Sequence, residues 1–150
     1  MTALIDGIHH VTMLTADMTR LVAFYELVFG ARLTSVVEER GVRHAQIQLG
    51  GSTVLHPFQI PGLELRRPDL PRLRSGRLDH FGLQAADEHA FRELRRRVVA
   101  AGAGDGVVVD TGAALSFGFK DPDGGAHQIT CARPGVPVPR AAWREVEIAS

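Results

Sequence analysis

The sequence predicts an α+β fold of two tandem βαβββ modules, on three observations. The stretch Ile8-His9-His10-Val11-Thr12-Met13-Leu14-Thr15-Ala16-Asp17 returns in degenerate form as Leu78-Asp79-His80-Phe81-Gly82-Leu83-Gln84-Ala85-Ala86-Asp87, at a constant offset of 70 residues. His10 falls on His80, Met13 on Leu83 and Ala16-Asp17 on Ala86-Asp87; further on, Leu21, Phe24 and Val28 fall on Phe91, Leu94 and Val98. Each copy then passes from a strand-like run into residues with helical spacing, and three more strand-like runs follow each helix. Two copies are too few for a solenoid. The chain therefore reads as one domain, residues 1–150, with module one at about 6–60, a linker at about 61–77, module two at about 78–132 and a C-terminal arm at about 133–150.

In module one, residues 7–15 mix β-branched and apolar side chains around two histidines and read as a strand. Asp17 offers an N-cap, and Leu21, Phe24, Tyr25 and Val28 recur at the i, i+3, i+4, i+7 spacing of an amphipathic helix that Gly30 stops. Strands are expected over Leu33–Glu39, Arg43–Leu49 and Ser52–Gln59, punctuated by Gly41 and by Gly50-Gly51. The middle one alternates. Ala45, Ile47 and Leu49 share one face; His44, Gln46 and Gln48 share the other, which looks into water or into a polar cavity. The linker carries Pro61, Pro68 and Pro71 among Arg66, Arg67, Arg72, Arg74 and Arg77. It reads as a solvated connection or as a basic rim for an anionic substrate.

Module two repeats the order. Leu78–Gln84 is the strand, Asp87 the N-cap, and Phe91, Leu94, Val98 and Val99 the buried stripe of a helix ending near Gly102. Arg95-Arg96-Arg97 reads as solvated surface. Val107–Asp110, Leu115–Lys120 and Ala126–Ala132 are the later strands, with the type I turn Asp121-Pro122-Asp123-Gly124 before the last. The prolines at 134, 137 and 139 suit an extended arm from which Trp143 docks on this chain or a neighbour.

Composition narrows the function. A chain of 150 residues buries roughly two thirds of its unfolded surface and needs no staples. A net charge of zero provides no global field for nucleic acid or an anionic membrane, so the expected partner is a small molecule. The single cysteine, Cys131, excludes an internal disulfide framework and fits a reducing compartment. No apolar run approaches the ~20 residues of a membrane span. A cytoplasmic location is expected.

Equivalent positions in the two modules supply a pair of imidazoles, His10 and His80, which suits metal binding or, alternatively, hydrogen-bonding groups lining a cavity. His9 points away from His10 if strand alternation holds there, and reads as structural. His56 lies on the last strand of module one, with a register uncertain by one residue across Pro57. Phe58, Phe117 and Phe119 are candidate cavity-wall residues, with packing against the helices as their other reading. Gln128 and His127 are adjacent, so only one faces a cavity; Ile129 shares His127's face, which favours Gln128 as the inward one.

Strand-helix-three-strands occurring twice, a histidine on each first strand, Phe119-Lys120-Asp121-Pro122-Asp123-Gly124 before the last strand, and Ala23-Phe24-Tyr25-Glu26-Leu27-Val28-Phe29-Gly30 in the first helix together resemble the vicinal oxygen chelate superfamily. That group includes glyoxalase I, extradiol dioxygenases, fosfomycin-resistance transferases and bleomycin-resistance proteins. The resemblance covers roughly residues 6–132 and implies a half-barrel-like mixed sheet around a cavity, often completed as a homodimer. It also implies a divalent metal (Fe, Mn, Ni or Zn) on His10, His80 and the residue seven after Asp121, which here is Gln128.

Gln128 departs from the carboxylate of that pattern. It offers a neutral amide oxygen, so a bound divalent ion keeps its full charge, and it cannot serve as a base. His56 is then the expected catalytic base or a further ligand. Thr12 and Ser116 echo fosfomycin-type sites, and Gly118 stands where those have a tyrosine. Thr12, His44, Gln46, Phe58 and Ser116 are the expected substrate-binding residues. The function implied is a metal-dependent lyase, isomerase or dioxygenase acting on a small substrate that chelates through adjacent oxygens. The alternative is a metal-free protein that binds an antibiotic and confers resistance.

Overall fold

The computed structural model describes residues 8–65, 78–133, 135 and 144–146. Module one runs β1 (His10–Leu14), α1 (Met18–Phe29), β2 (Arg32–Glu39), β3 (Val42–Gly50) and β4 (Thr53–Gln59). Module two runs β5 (Gly82–Gln84), α2 (Glu88–Ala100), β6 (Val108–Asp110), β7 (Ala114–Lys120) and β8 (Ala126–Ala132), followed by β9 (Arg144–Val146). The first sheet has the order β1-β4-β3-β2 and the second β5-β8-β7-β6-β9. In each, the first strand lies parallel to the last strand of its module and the remaining pairs are antiparallel. The chain divides into two compact units, residues 1–66 and 67–150.

Local chemistry explains the helices. The Asp17 carboxylate accepts from the Arg20 amide at 3.0 Å and the Asp87 carboxylate from the Ala90 amide at 2.7 Å, so both repeat aspartates are N-caps. Gly30 ends α1 in the left-handed region (φ 65°), where it donates to the Glu26 carbonyl. Met18, Leu21, Tyr25 and Val28 cover Ala45, Ile47, Leu55 and Pro57 on one face of the first sheet. In module two, Phe91 and Val98 are buried with Phe117, Phe119 and Ile129; the Phe91 and Phe117 rings meet edge-on at 5.0 Å. Phe117 and Phe119 are therefore core residues, and both also line the cavity beside the loop between α2 and β6. They alternate with Ser116 and Gly118, and their face of the sheet is the one α2 covers.

The charges of α2 are spent locally. Arg96 and Arg97 hydrogen-bond to Glu93 and hold its carboxyl down at about 2, and Arg95 Nε donates to the Gly106 carbonyl at 2.7 Å.

Two elements differ from the sequence reading. The first strand of module two begins at Gly82 and not at Leu78, since Asp79 and His80 pair through their side chains and the first ladder bond of this edge is the Gln128 amide to the Phe81 carbonyl. Residues 144–146 pair antiparallel with β6 as an edge strand, which three residues are too few to signal in sequence. Trp143, the linker residues from 66 to 77 and the arm prolines lie outside the described residues. Among the described residues, no helix is long and apolar enough to cross a membrane.

The loop between α2 and β6 packs tightly on β7. A Cβ at Gly104 would stand 2.7 Å from the Gly118 carbonyl oxygen and 3.0 Å from Val98. Backbone would have to yield, so Gly104→Ala is expected to cost about 1–3 kcal/mol in a urea-unfolding experiment. An unchanged midpoint would refute that contact.

Candidate active site

The face of the first sheet opposite α1 gathers the histidines of module one. Parallel pairing sets His10 against Val54 and Thr12 against His56, so His56, not Pro57, shares the face of His10 and Thr12. The His10 and His56 rings lie 5.8 Å apart. On β3, the pairs His44–Phe58 and Ile47–Leu55 place Gln46 across from His56. His44 Nδ1 and His56 Nε2 form a hydrogen bond of 3.1 Å, and the His44 ring stacks on Phe58 at 5.0 Å with planes 16° apart. His10, Thr12, His44, Gln46, His56 and Phe58 thus fall on one surface. His9 is not turned away: its Nδ1 lies 3.0 Å from His10 Nδ1, because the strand starts only at His10 and alternation does not govern the residue before it.

Burial, and then the neighbouring His44 and His10, hold the His56 pKa below the ordinary imidazole value. His56 is accordingly neutral near pH 7, with a lone pair to offer. The folded chain binds less proton at His56 than the unfolded chain does. Its contribution to stability is complete above about pH 6.5 and is lost as pH falls through that value towards the folded one. For metal-free protein, thermal midpoints measured from about pH 8 to 5 should fall more steeply in wild type than in His56→Gln. Parallel curves would show that burial and the neighbouring imidazoles do not disfavour the charged form of His56.

In module two, His80 precedes β5 and its Nδ1 meets Asp79 Oδ2 at 2.8 Å. A neutral His80 then donates from Nδ1 and keeps Nε2 as its lone-pair atom. Gln128 pairs with Gly82, and its side-chain amide donates to Ser116 Oγ at 3.1 Å. Both residues line a cavity of about 580 Å³ with Val107, Val109, Gly118 and Lys120. His127 is buried, stacked on Phe81 at 4.0 Å and bonded through Nε2 to Asp121 Oδ2 at 3.0 Å.

The registers reveal an internal equivalence. Thr12, two residues after His10, pairs with His56; Gly82, two residues after His80, pairs with Gln128. His56 and Gln128 are counterparts. Each repeat histidine also takes a side-chain partner from the residue before it, His9 in one module and Asp79 in the other. Sequence reasoning passed over Asp79 and the bond between His44 and His56. The first was signalled by its adjacency to His80; the second depends on pairing across strands and had no local signal. Among the described residues of either module, no three His, Cys, Asp or Glu side chains converge on a point that could hold a metal ion.

Solved structures similar to this chain include a glyoxylase/bleomycin resistance protein/dioxygenase domain from Frankia sp. EAN1pec, 19% identical, with a TM-score of 0.74, covering 87% of this chain and 95% of that one. The fosfomycin resistance protein FosX from Listeria monocytogenes, complexed with Mn(II) and sulfate, is 16% identical, with a TM-score of 0.62 and coverage of 87% and 96%. A glyoxalase family protein from Enterococcus faecalis is 18% identical, with a TM-score of 0.64 and coverage of 85% and 99%. No curated protein matches the chain. The family model for the Glyoxalase/Bleomycin resistance protein/Dioxygenase superfamily matches residues 7–129, and the chain belongs to that superfamily.

Proposed function

We propose that this chain is a divalent-metal-dependent enzyme acting on a small substrate that chelates through adjacent oxygens, in a lyase, isomerase or dioxygenase type of reaction. The observation that carries this reading is the equivalence of the two pairs, His10 with His56 and His80 with Gln128, at the same register position of each module. His10, His80 and Gln128 are the proposed ligands, two imidazoles and a neutral amide oxygen, a donor set that fits Mn, Fe, Ni or Zn. The Asp79 carboxylate supports it by fixing the His80 tautomer that leaves Nε2 free to bind. The FosX relative was crystallised with Mn(II). When bound, the metal supplies Lewis-acid polarisation of two adjacent substrate oxygens.

The remaining residues bind the substrate and move its proton. His56 is the proposed base. In the tautomer whose Nε2–H donates to His44 Nδ1, His56 Nδ1 is the proton acceptor, and the depressed pKa keeps it unprotonated at neutral pH. Thr12, Gln46 and Ser116 supply polar contacts, and His44 and Phe58 an aromatic one. The same reading takes residues 1–150 as a single domain, working as a homodimer in the cytoplasm. A metal-free antibiotic-binding protein is the second reading, favoured by the stack of His44 on Phe58.

Elemental analysis of tag-free, dialysed protein tests the proposal, with wild type beside His10→Ala and His80→Ala. Near-stoichiometric iron, manganese, nickel or zinc in wild type, lost in both variants while circular dichroism is unchanged, is the expected result. No metal in wild type, even after those ions are added back, would overturn it in favour of the binding protein.

A further inference from the structure

The open face of the module-one sheet is ordered in rows that run across its strands. Thr12 (β1), His56 (β4), Gln46 (β3) and Ser35 (β2) follow one another as a continuous polar row. Beside it the registers Leu14–Phe58, Phe58–His44 and His44–Val37 make a second row of apolar and aromatic groups. This second row is uncovered where a folded chain would ordinarily bury such residues: Leu14 and Val37 are each 44% exposed, and Phe58 and His44 are half-buried. On the other side of the polar row stands His10, paired with Val54.

A ligand spanning these rows meets three chemistries in fixed order: the imidazole of His10, hydrogen-bonding groups, then two ring planes flanked by aliphatic side chains. The His44 and Phe58 planes are within 16° of parallel at 5.0 Å, and His56 lies 4.6 Å from Phe58. A further conjugated ring can join such a set edge-on or as an offset plate, at centroid separations of roughly 4.5–7 Å. A puckered saturated ring has no quadrupole and gains only contact area.

We propose that the substrate carries a flat conjugated ring next to its adjacent oxygens, and that the row Leu14, Phe58, His44 and Val37 selects that ring. The proposal rests on the chelating reading above and specifies the substrate class for the same site. Val37 and Leu14 flank that ring with aliphatic contact area, and Ser35 extends the polar row to the sheet edge. An aromatic 2-hydroxy acid has the required order of groups.

Mandelate and hexahydromandelate separate ring recognition from chelation, since they share the same hydroxyl and carboxylate and differ only in the ring. Isothermal titration calorimetry on manganese-loaded wild type should give mandelate about five- to tenfold tighter binding. Phe58→Leu should bring the two affinities level. Val37→Ser, at an exposed position that leaves the core intact, removes contact area alone and should weaken mandelate and hexahydromandelate alike. Equal affinities in wild type, no binding of mandelate, or a preference that survives Phe58→Leu would overturn the proposal. Metal content measured on the same samples keeps the two readings apart. Metal present with equal affinities overturns ring selection alone; a mandelate preference without bound metal upholds ring selection and overturns the metal site.

Discussion

Asp121→Ala is expected to lower the free energy of unfolding by about 3–5 kcal/mol, the largest single loss in module two, read as a fall in the urea midpoint. Asp121 is 6% exposed and every oxygen of its side chain is used. Oδ1 accepts from the Asp123 amide at 2.9 Å and the Gly125 amide at 2.8 Å, and Oδ2 is bonded to His127 Nε2 at 3.0 Å. Truncation leaves two turn amides without an acceptor. It also strands a buried imidazole whose Nδ1 already has no partner among the described residues. Gly125 packs directly on the carboxylate, since a Cβ there would lie 2.7 Å from Asp121 Oδ2. Asp121→Asn keeps the shape and one acceptor, and should lose less than half as much. A loss under about 1 kcal/mol for Asp121→Ala would show that the turn is not coupled to His127.

Asp79→Ala is expected to weaken metal binding by about 10- to 100-fold with only a minor change in stability. Competition with a chelator of known affinity measures it. The effect would act through His80: without the carboxylate 2.8 Å from Nδ1, the imidazole is free to place its proton on Nε2 and to rotate. Asp79→Asn should recover part of the loss, because an amide oxygen still accepts from Nδ1. Affinity unchanged in Asp79→Ala would detach Asp79 from the site, and would leave the proposal for His80 to stand on its own variant.

The elements of this chain were legible because their signals are local. The N-caps Asp17 and Asp87, the stripes of α1 and α2 and the stop at Gly30 each depend on residues within a few positions of one another. The pairing of the modules was legible from the 70-residue offset. Phe117 and Phe119 were harder, since an aromatic residue on a strand is equally suited to either face until the helix that covers one face is placed. The strand at Arg144–Val146 could not be read, because a short edge strand is specified by the β6 edge it joins.

By itself, then, the sequence determined the two βαβββ modules and the equivalence of His10 with His80. Spacing, capping and repetition are properties of the chain alone. Only the tertiary structure decided which side chains are neighbours across strands: that His56 and not Pro57 stands beside Thr12, that His44 bonds to His56, and that Leu14, Phe58, His44 and Val37 align in one row. A slip of one residue sends every side chain of a strand to the opposite face, and the register that prevents it is set by burial of Ala45, Ile47, Leu55 and Pro57 beneath α1.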